Sequence, residues 1–306
     1  MKDIYDILRE WRKRPGELFA LATLIDVEGS SYRRAGARML VCQDGLTIGS
    51  LSGGCIEEEV AQRAIDVLHG GEPAMTTFDT RQRFGCHGKI SILIERVAEG
   101  FFRKVAERLD ARSSCFVMTT ESGSRIVEHG HEQEWRLVQE IHPPIRLLLF
   151  GDGPDTMPLR SLGGLLGWQS MEIFDPDAFS IERDQWTAAV VKSHNYGRDF
   201  VALRKLLPLN LRYVGVVGAR RRRDQLLNDL LDAGITIGPG LFAPAGLDLR
   251  ADTPEEIALA IVTEIQSVFA SGSRVSLRDR KSPIHAPERP IVRSDIIWGQ
   301  CGTPAR

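Results

Sequence analysis

Two cysteines of this chain sit in glycine-bounded turns rather than in apolar runs. Cys55 closes the turn Ser52-Gly53-Gly54-Cys55 just ahead of a helical pattern, and Cys86 lies in Gly85-Cys86-His87-Gly88. A thiol at a helix start meets backbone N–H groups that favour thiolate, the form that attacks electrophiles and binds metals. Glu57, Glu58 and Glu59 oppose that negative charge, although they suit the helix dipole. The ordinary alternative for a free cysteine is burial in the core, and Cys42 and Cys115, within strand patterns, fit it. Cys55 and Cys86 have little apolar sequence around them to explain burial. Two thiols can hold a soft metal, carry sulfur as a persulfide or bind a metal cofactor transiently, so both are candidate metal ligands. In the same region, the loop Gly29-Ser30-Ser31-Tyr32-Arg33-Arg34-Ala35-Gly36 combines flexible backbone, hydroxyls and two guanidinium groups. That composition suits a phosphate or another anion, with Arg33 and Arg34 as the contacts.

These turns need strands and helices to hold them. Residues 3–14 carry Ile4, Ile7, Leu8 and Trp11 at helical spacing, and Leu18 to Val27 reads as an apolar strand. Ala37 to Cys42 and Leu46 to Ser50 form a hairpin about Asp44-Gly45. A helix follows from about Cys55 to Leu68, with Ile56, Val60, Ala64, Val67 and Leu68 on one face and Gly70-Gly71 ending it. Ile90 to Val97 is a further strand, Phe101 to Leu109 a helix, and two or three strands occupy Cys115 to Glu140. His142-Pro143-Pro144 is the best linker, because consecutive prolines block both helix and ladder.

Beyond it, strands near 145–150, 169–174, 187–191 and 211–217 alternate with helices near 155–166, 198–206, 219–232 and 254–270. That rhythm implies a parallel sheet covered on both faces. The predicted fold is therefore α/β: a mixed N-terminal domain over 1–141, a Rossmann-like domain over 145–272, and an irregular tail over 273–306. The run Ile145 to Phe150 leads into Gly151-Asp152-Gly153 and a helix, with Asp175 at the end of the next strand, where an acidic residue meets a ribose hydroxyl. Thr156 stands where the third glycine of the dinucleotide fingerprint belongs, and Asp152 puts negative charge where a pyrophosphate would lie. Gly151 and Gly153 either bind nucleotide or only make the tight turn. Gly215 and Gly218 join a second strand to a helix that opens with Arg220 to Arg223. Arg220 could grip a phosphate there, or the run is a solvated helix face. Ser193-His194 follows the strand at 187–191, so His194 and Asp199 are candidate polar site groups or simply capping residues.

Bulk properties exclude several classes. A net charge of −2 and a pI near 6.4 give no electrostatic reason to expect nucleic acid. With 42% hydrophobic and 26% charged residues, the composition is that of a globular protein. No apolar run approaches the ~20 residues of a membrane span, and the N-terminus carries no signal-peptide pattern. Five scattered cysteines without a Cys-x-x-Cys pair argue for a reducing cytoplasm and against a disulfide framework or zinc ribbon.

The segment Gly29 to Leu40, then Gly49-Ser50-Leu51-Ser52-Gly53-Gly54-Cys55-Ile56-Glu57 and Gly85-Cys86-His87-Gly88, resembles the xanthine dehydrogenase accessory (XdhC/CoxI) family. So do Tyr213 to Gly218 with its arginines, Pro244-Ala245-Gly246-Leu247-Asp248-Leu249, and Thr253 to Ala258 with Glu264. The resemblance runs from roughly residue 10 to 270. It implies a molybdenum cofactor (molybdopterin) chaperone, a maturation factor more than an enzyme. Such a protein protects the cofactor during sulfuration by a cysteine desulfurase and helps insert it into an apo molybdenum hydroxylase of the xanthine dehydrogenase type. The cofactor's phosphate would match Arg33 and Arg34, and its metal Cys55 and Cys86 beside Gly53 and Gly54. One departure is Pro154, where the family places a histidine after its first Rossmann glycines. The competing reading is an NAD(P)-dependent oxidoreductase on the Rossmann-like domain, with His194 as proton donor. A homodimer is left open.

Overall fold

The structure, a computed structural model, describes residues 1–306 except 80–87, 99, 129–136, 282–283 and 285–306. The described residues form two compact units that divide between Pro143 and Pro144, within the predicted proline linker. Most of the predicted tail lies outside the described residues.

The first unit contains α1 (Lys2–Lys13), β1 (Phe19–Gly29), β2 (Arg38–Cys42), β3 (Thr47–Gly49), α2 (Glu57–Gly70), β4 (Ala74–Asp79) and β5 (Gly88–Arg96). It continues with α3 (Phe101–Asp110), β6 (Cys115–Thr120), β7 (Gly123–Val127) and β8 (Leu137–Ile141). A five-stranded antiparallel sheet has the order β3-β2-β1-β5-β4, and a three-stranded one the order β7-β6-β8. The larger sheet is covered on both sides, which is why β1 reads as an unbroken apolar run rather than an alternation. Ala20, Ala22, Leu24, Met39 and Val41 pack on Val60, Ala64, Val67 and Leu68 of α2. Phe19, Leu21, Leu40 and Cys42 face α1, α3, Val117 and Ile141. Strand β4 has no counterpart in the sequence reading, because Met75, Thr76 and Thr77 carry too little apolar signal for an edge strand.

The second unit contains β9 (Arg146–Phe150), α4 (Thr156–Leu165), β10 (Gln169–Ile173), β11 (Thr187–Val191), α5 (Tyr196–Leu206), β12 (Tyr213–Val216), α6 (Arg220–Asp232), β13 (Leu241–Phe242) and α7 (Pro254–Phe269). Its strands are all parallel, in the order β10-β9-β11-β12-β13. Alternate residues of β9 and β11 serve opposite cores. Leu147, Leu149, Ala188 and Val190 meet α4 and α7, whereas Leu148, Phe150, Ala189 and Val191 meet α5 and α6. Helix α7 starts with a complete capping box, Thr253 to Glu256, with Pro254 in the first turn. The α/β architecture read from the sequence is therefore present, an antiparallel first unit followed by a parallel Rossmann-like one. The chain passes from β10 to β11 without a helix, where a strict strand–helix alternation would place one.

Candidate functional site

Helix α2 begins at Glu57 with Ile56 as its N-cap, so Cys55 stands two residues ahead of the helix and not on its first turn. The carboxylate of Glu57 builds the turn that displays it. Oε1 accepts the N–H groups of Leu51 at 3.1 Å and Ser52 at 2.8 Å, while Oε2 accepts the Ile56 N–H at 3.2 Å and the Ser52 hydroxyl at 2.7 Å. Ser52 Oγ in turn accepts from the N–H groups of Gly54 and Cys55, at 3.1 and 3.2 Å, and from the Cys55 thiol at 3.5 Å. Gly54 holds φ at +107°, a conformation that any side chain would strain. Ser52 is thereby buried while Gly53, Gly54 and Cys55 are exposed. Cys42 and Cys115 are buried core thiols, as expected, and burial pushes both upward, Cys42 to about 11. Cys86 lies outside the described residues.

Burial raises the Glu57 carboxyl, but the bonds from Ser52 and the backbone N–H groups outweigh it and hold the group below its ordinary value. A lowered carboxylate contributes stability above its ordinary value of 4.5, and that contribution is lost as the pH falls through the lowered one. Wild-type stability is therefore expected to fall below about pH 4.5 more steeply than that of Glu57→Gln. Urea midpoints measured across that range check this, and parallel profiles would contradict it.

The arginine loop joins β1 to β2. Arg33 Nη1 donates to Ser50 Oγ at 2.9 Å, and Arg33 Nη2 pairs with Asp3, so this guanidinium ties the loop to α1 and to the end of β3. Arg34 is exposed. The far end of the loop rests on Arg38, which is almost wholly buried and donates through Nη1 to the Gly36 carbonyl at 3.1 Å and to Gln139. Burial pushes the Arg38 guanidinium down to about 10, against the opposing pull of the buried Glu95. Two approaches link the arginine loop to neighbouring segments at one end of the sheet. A Cβ on Gly53 would lie 3.8 Å from the ring of Tyr32, so the arginine loop touches the Cys55 turn. Gly88, where β5 resumes after the Cys86 segment, pairs in register with Gly29, where the arginine loop starts. A Cβ on Gly88 would come within 2.0 Å of the Ser30 carbonyl oxygen, so only glycine fits.

In the second unit the sheet order reverses between β9 and β11, the place where open α/β sheets bind ligands. Gly151 has φ +95° and lets the β9 turn approach Ser193, where a Cβ would sit 2.4 Å from Ser193 Cα. Beneath this turn lies a feature the sequence reading missed. Lys192 is fully buried, and its Nζ meets Asp155 Oδ1 at 3.0 Å and Thr156 Oγ1 at 2.5 Å. Thr156, in place of the third fingerprint glycine, is thus a partner of this lysine, and a Cβ on Gly153 would lie 3.7 Å from Nζ. The signal available was a lysine directly after an all-apolar strand, Ala188 to Val191. Asp199 is buried and accepts from the Ser193 hydroxyl at 2.5 Å, the Ser193 N–H at 3.2 Å and Arg222 at 2.5 Å. The arginine that reaches this network is Arg222. Arg220, the residue favoured from sequence, is exposed, as is Arg221, and neither has an ion pair among the described residues.

His194 is exposed in the left-handed region, φ +53°, and makes no hydrogen bond among the described residues. Asp175 is exposed at the end of β10, accepts the Asp177 N–H at 2.9 Å, and lines an open cavity of ≈ 330 Å³ with Phe174, Asp177 and Arg198. Gly215 lies inside β12, not in a ligand turn. A Cβ there would meet the Tyr213 ring at 2.7 Å, so its role is to make room for that side chain. Gly218 lies at the open end of β12, where an added Cβ would meet nothing within 4 Å. Among the described residues, no three His, Cys, Asp or Glu side chains converge on a metal-sized site, and no helix is long and apolar enough to cross a membrane.

Comparison with known proteins agrees with this two-part architecture. Residues 13–79 match the model of the XdhC and CoxI family, and residues 147–265 match the XdhC Rossmann domain. A probable xanthine dehydrogenase subunit from Bacillus subtilis (strain 168) is 30% identical, aligned over 80% of this chain and 91% of that protein. The molybdenum cofactor insertion chaperone PaoD from Escherichia coli (strain K12) is 26% identical over 83% of this chain and 84% of its own. The crystal structure of a xanthine dehydrogenase from Bacillus halodurans superposes with a TM-score of 0.75 at 27% identity, covering 90% of this chain and 98% of that one. On the order of its motifs, its two folds and these relatives, the chain belongs to the XdhC and CoxI family.

Proposed function

We propose that the chain binds molybdenum cofactor in its first unit and delivers it to a molybdenum hydroxylase of the xanthine dehydrogenase type. The observation that carries this reading is the contact between the arginine loop and the Cys55 turn. The Cys55 turn carries an exposed thiol, and the loop that approaches it carries the exposed Arg34. A ligand with a thiophilic metal and a phosphate needs both, and a purely structural loop needs neither. The cofactor is cargo here, so its metal brings most of its own donors and the chain adds one sulfur through Cys55, with Cys86 a second candidate. Glu57 and Ser52 hold the thiol outward, Arg38 and Gln139 brace the loop, and Arg34 faces the phosphate. The relationship to PaoD supports this assignment.

The finer parts of the proposal are sulfuration of the bound cofactor with a cysteine desulfurase as partner, action in the cytoplasm, and a homodimer as the assembly. An NAD(P)-linked reaction in the second unit is favoured less, because Thr156 occupies the third glycine position and is bonded to Lys192. The test is transfer. Purified chain is mixed with released molybdenum cofactor, separated by gel filtration, assayed for molybdenum and pterin fluorescence, and then added to an apo molybdenum hydroxylase. Co-elution of both signals and activation of the apoenzyme are expected. Elution of the chain without either signal would refute the proposal.

A further inference from the structure

We infer that Tyr32 is a stacking surface for a planar heteroaromatic ring beside Cys55. This deepens the cofactor reading and rests on it. The chain has four tyrosines, and three have hydroxyl partners. Tyr5 donates to the His142 carbonyl at 2.9 Å, Tyr213 to Glu264 at 2.8 Å, and Tyr196 to Asp229. Tyr32 has no hydrogen-bond partner among the described residues and is 70% exposed, the largest exposure of any aromatic side chain among them. A ring left in water at that level is not part of the core, yet it is not splayed away from the fold either. A Cβ on Gly53 would lie 3.8 Å from its Cγ and 4.0 Å from its Cδ2, so the ring lies beside Gly53.

Gly53 and Gly54 present bare backbone beside the ring: a Cβ on Gly53 would reach no more than ordinary contact with it, and one on Gly54 would meet nothing within 4 Å. The result is an aromatic ring beside a bare stretch of backbone, with Cys55 next in sequence after Gly54 and with Arg33 and Arg34 following Tyr32 directly. Such a shelf selects flat π-systems, because stacking requires a face and no matching hydrogen-bond pattern. Molybdenum cofactor supplies a flat ring in the pyrimidinone half of its pterin, in addition to its metal and phosphate. The ring of Tyr32 and not its hydroxyl does this, so phenylalanine should serve as well.

The test uses the full chain and a simple pterin that carries neither dithiolene nor metal, followed by quenching of pterin fluorescence. This probe cannot use the thiol. Saturable binding by the wild type is expected, unchanged in Tyr32→Phe and weakened roughly tenfold in Tyr32→Ala, as for loss of one stacked base. Equal thermal melts by circular dichroism are expected for all three, since Tyr32 is exposed. Wild-type-like affinity in Tyr32→Ala, or no saturable pterin binding by the wild type, overturns the inference. Molybdenum cofactor retained by the wild type and equally by Tyr32→Ala would overturn the stacking surface alone. Pterin binding lost in Tyr32→Ala, in a chain that retains no molybdenum, would keep the stacking surface and remove the chaperone reading.

Discussion

Replacing Cys55 with alanine is expected to weaken retention of molybdenum cofactor about 100-fold, the upper end of what metal sites lose when even a supporting residue is removed. The side chain is exposed, and its only described bond is a 3.5 Å contact from the thiol to Ser52 Oγ, so the fold should not register the change. The bonds that shape the turn use the Ser52 hydroxyl and backbone N–H groups, so they survive the substitution. Stability should therefore change by no more than about 0.5 kcal/mol, as for surface positions elsewhere. Molybdenum per chain after gel filtration, read beside a urea melt, separates the two quantities. Equal metal content in wild type and Cys55→Ala would remove this thiol from the site and shift the weight to Cys86.

Lys192→Met should be the most destabilising of these substitutions, at about 3–5 kcal/mol, the usual cost of removing one partner of a buried ion pair. Methionine fills nearly the same volume, so the loss would report charge rather than a cavity. Asp155, a residue only 6% exposed, would be left without its cation, and Thr156 Oγ1 would lose its donor. Both residues belong to the β9 turn and the start of α4, so damage should centre there. Trp168 and Trp186 are buried in this unit and report its unfolding by fluorescence. Adding Asp155→Asn should recover part of the loss, because the uncompensated charge is then gone. A cost below about 1 kcal/mol for Lys192→Met would show that the pair contributes as a surface pair does.

The substitutions at Cys55 and Lys192 also differ in how visible their sites are before folding. Cys55 stands out because glycines on one side and glutamates on the other are poor company for a buried thiol. Lys192 does not, since a lysine after an apolar strand reads as the point where the chain surfaces. Its partner Asp155 lies 37 positions away, and neither residue is conspicuous alone. Arg220 is favoured on sequence for standing first at a helix start. The structure engages Arg222 instead, because the helical turn aims that position at Asp199. Gly215 reads as a ligand turn because strand-end glycines often are one, whereas the crowding by the Tyr213 ring that explains it comes from the fold.

The α/β class and most of the local elements are legible in the chain's periodicity and turn residues, β4 being an exception. Periodicity and turn chemistry act over a few residues, and these features need no more than that. Which of these segments meet depends on the folded chain. The contact of Tyr32 with Gly53, the register of Gly29 with Gly88, and the closure of Lys192 on Asp155 each depend on sheet order and side-chain packing between distant segments. Those are properties of the folded chain, set when burial on both faces of each sheet fixes which strands are neighbours.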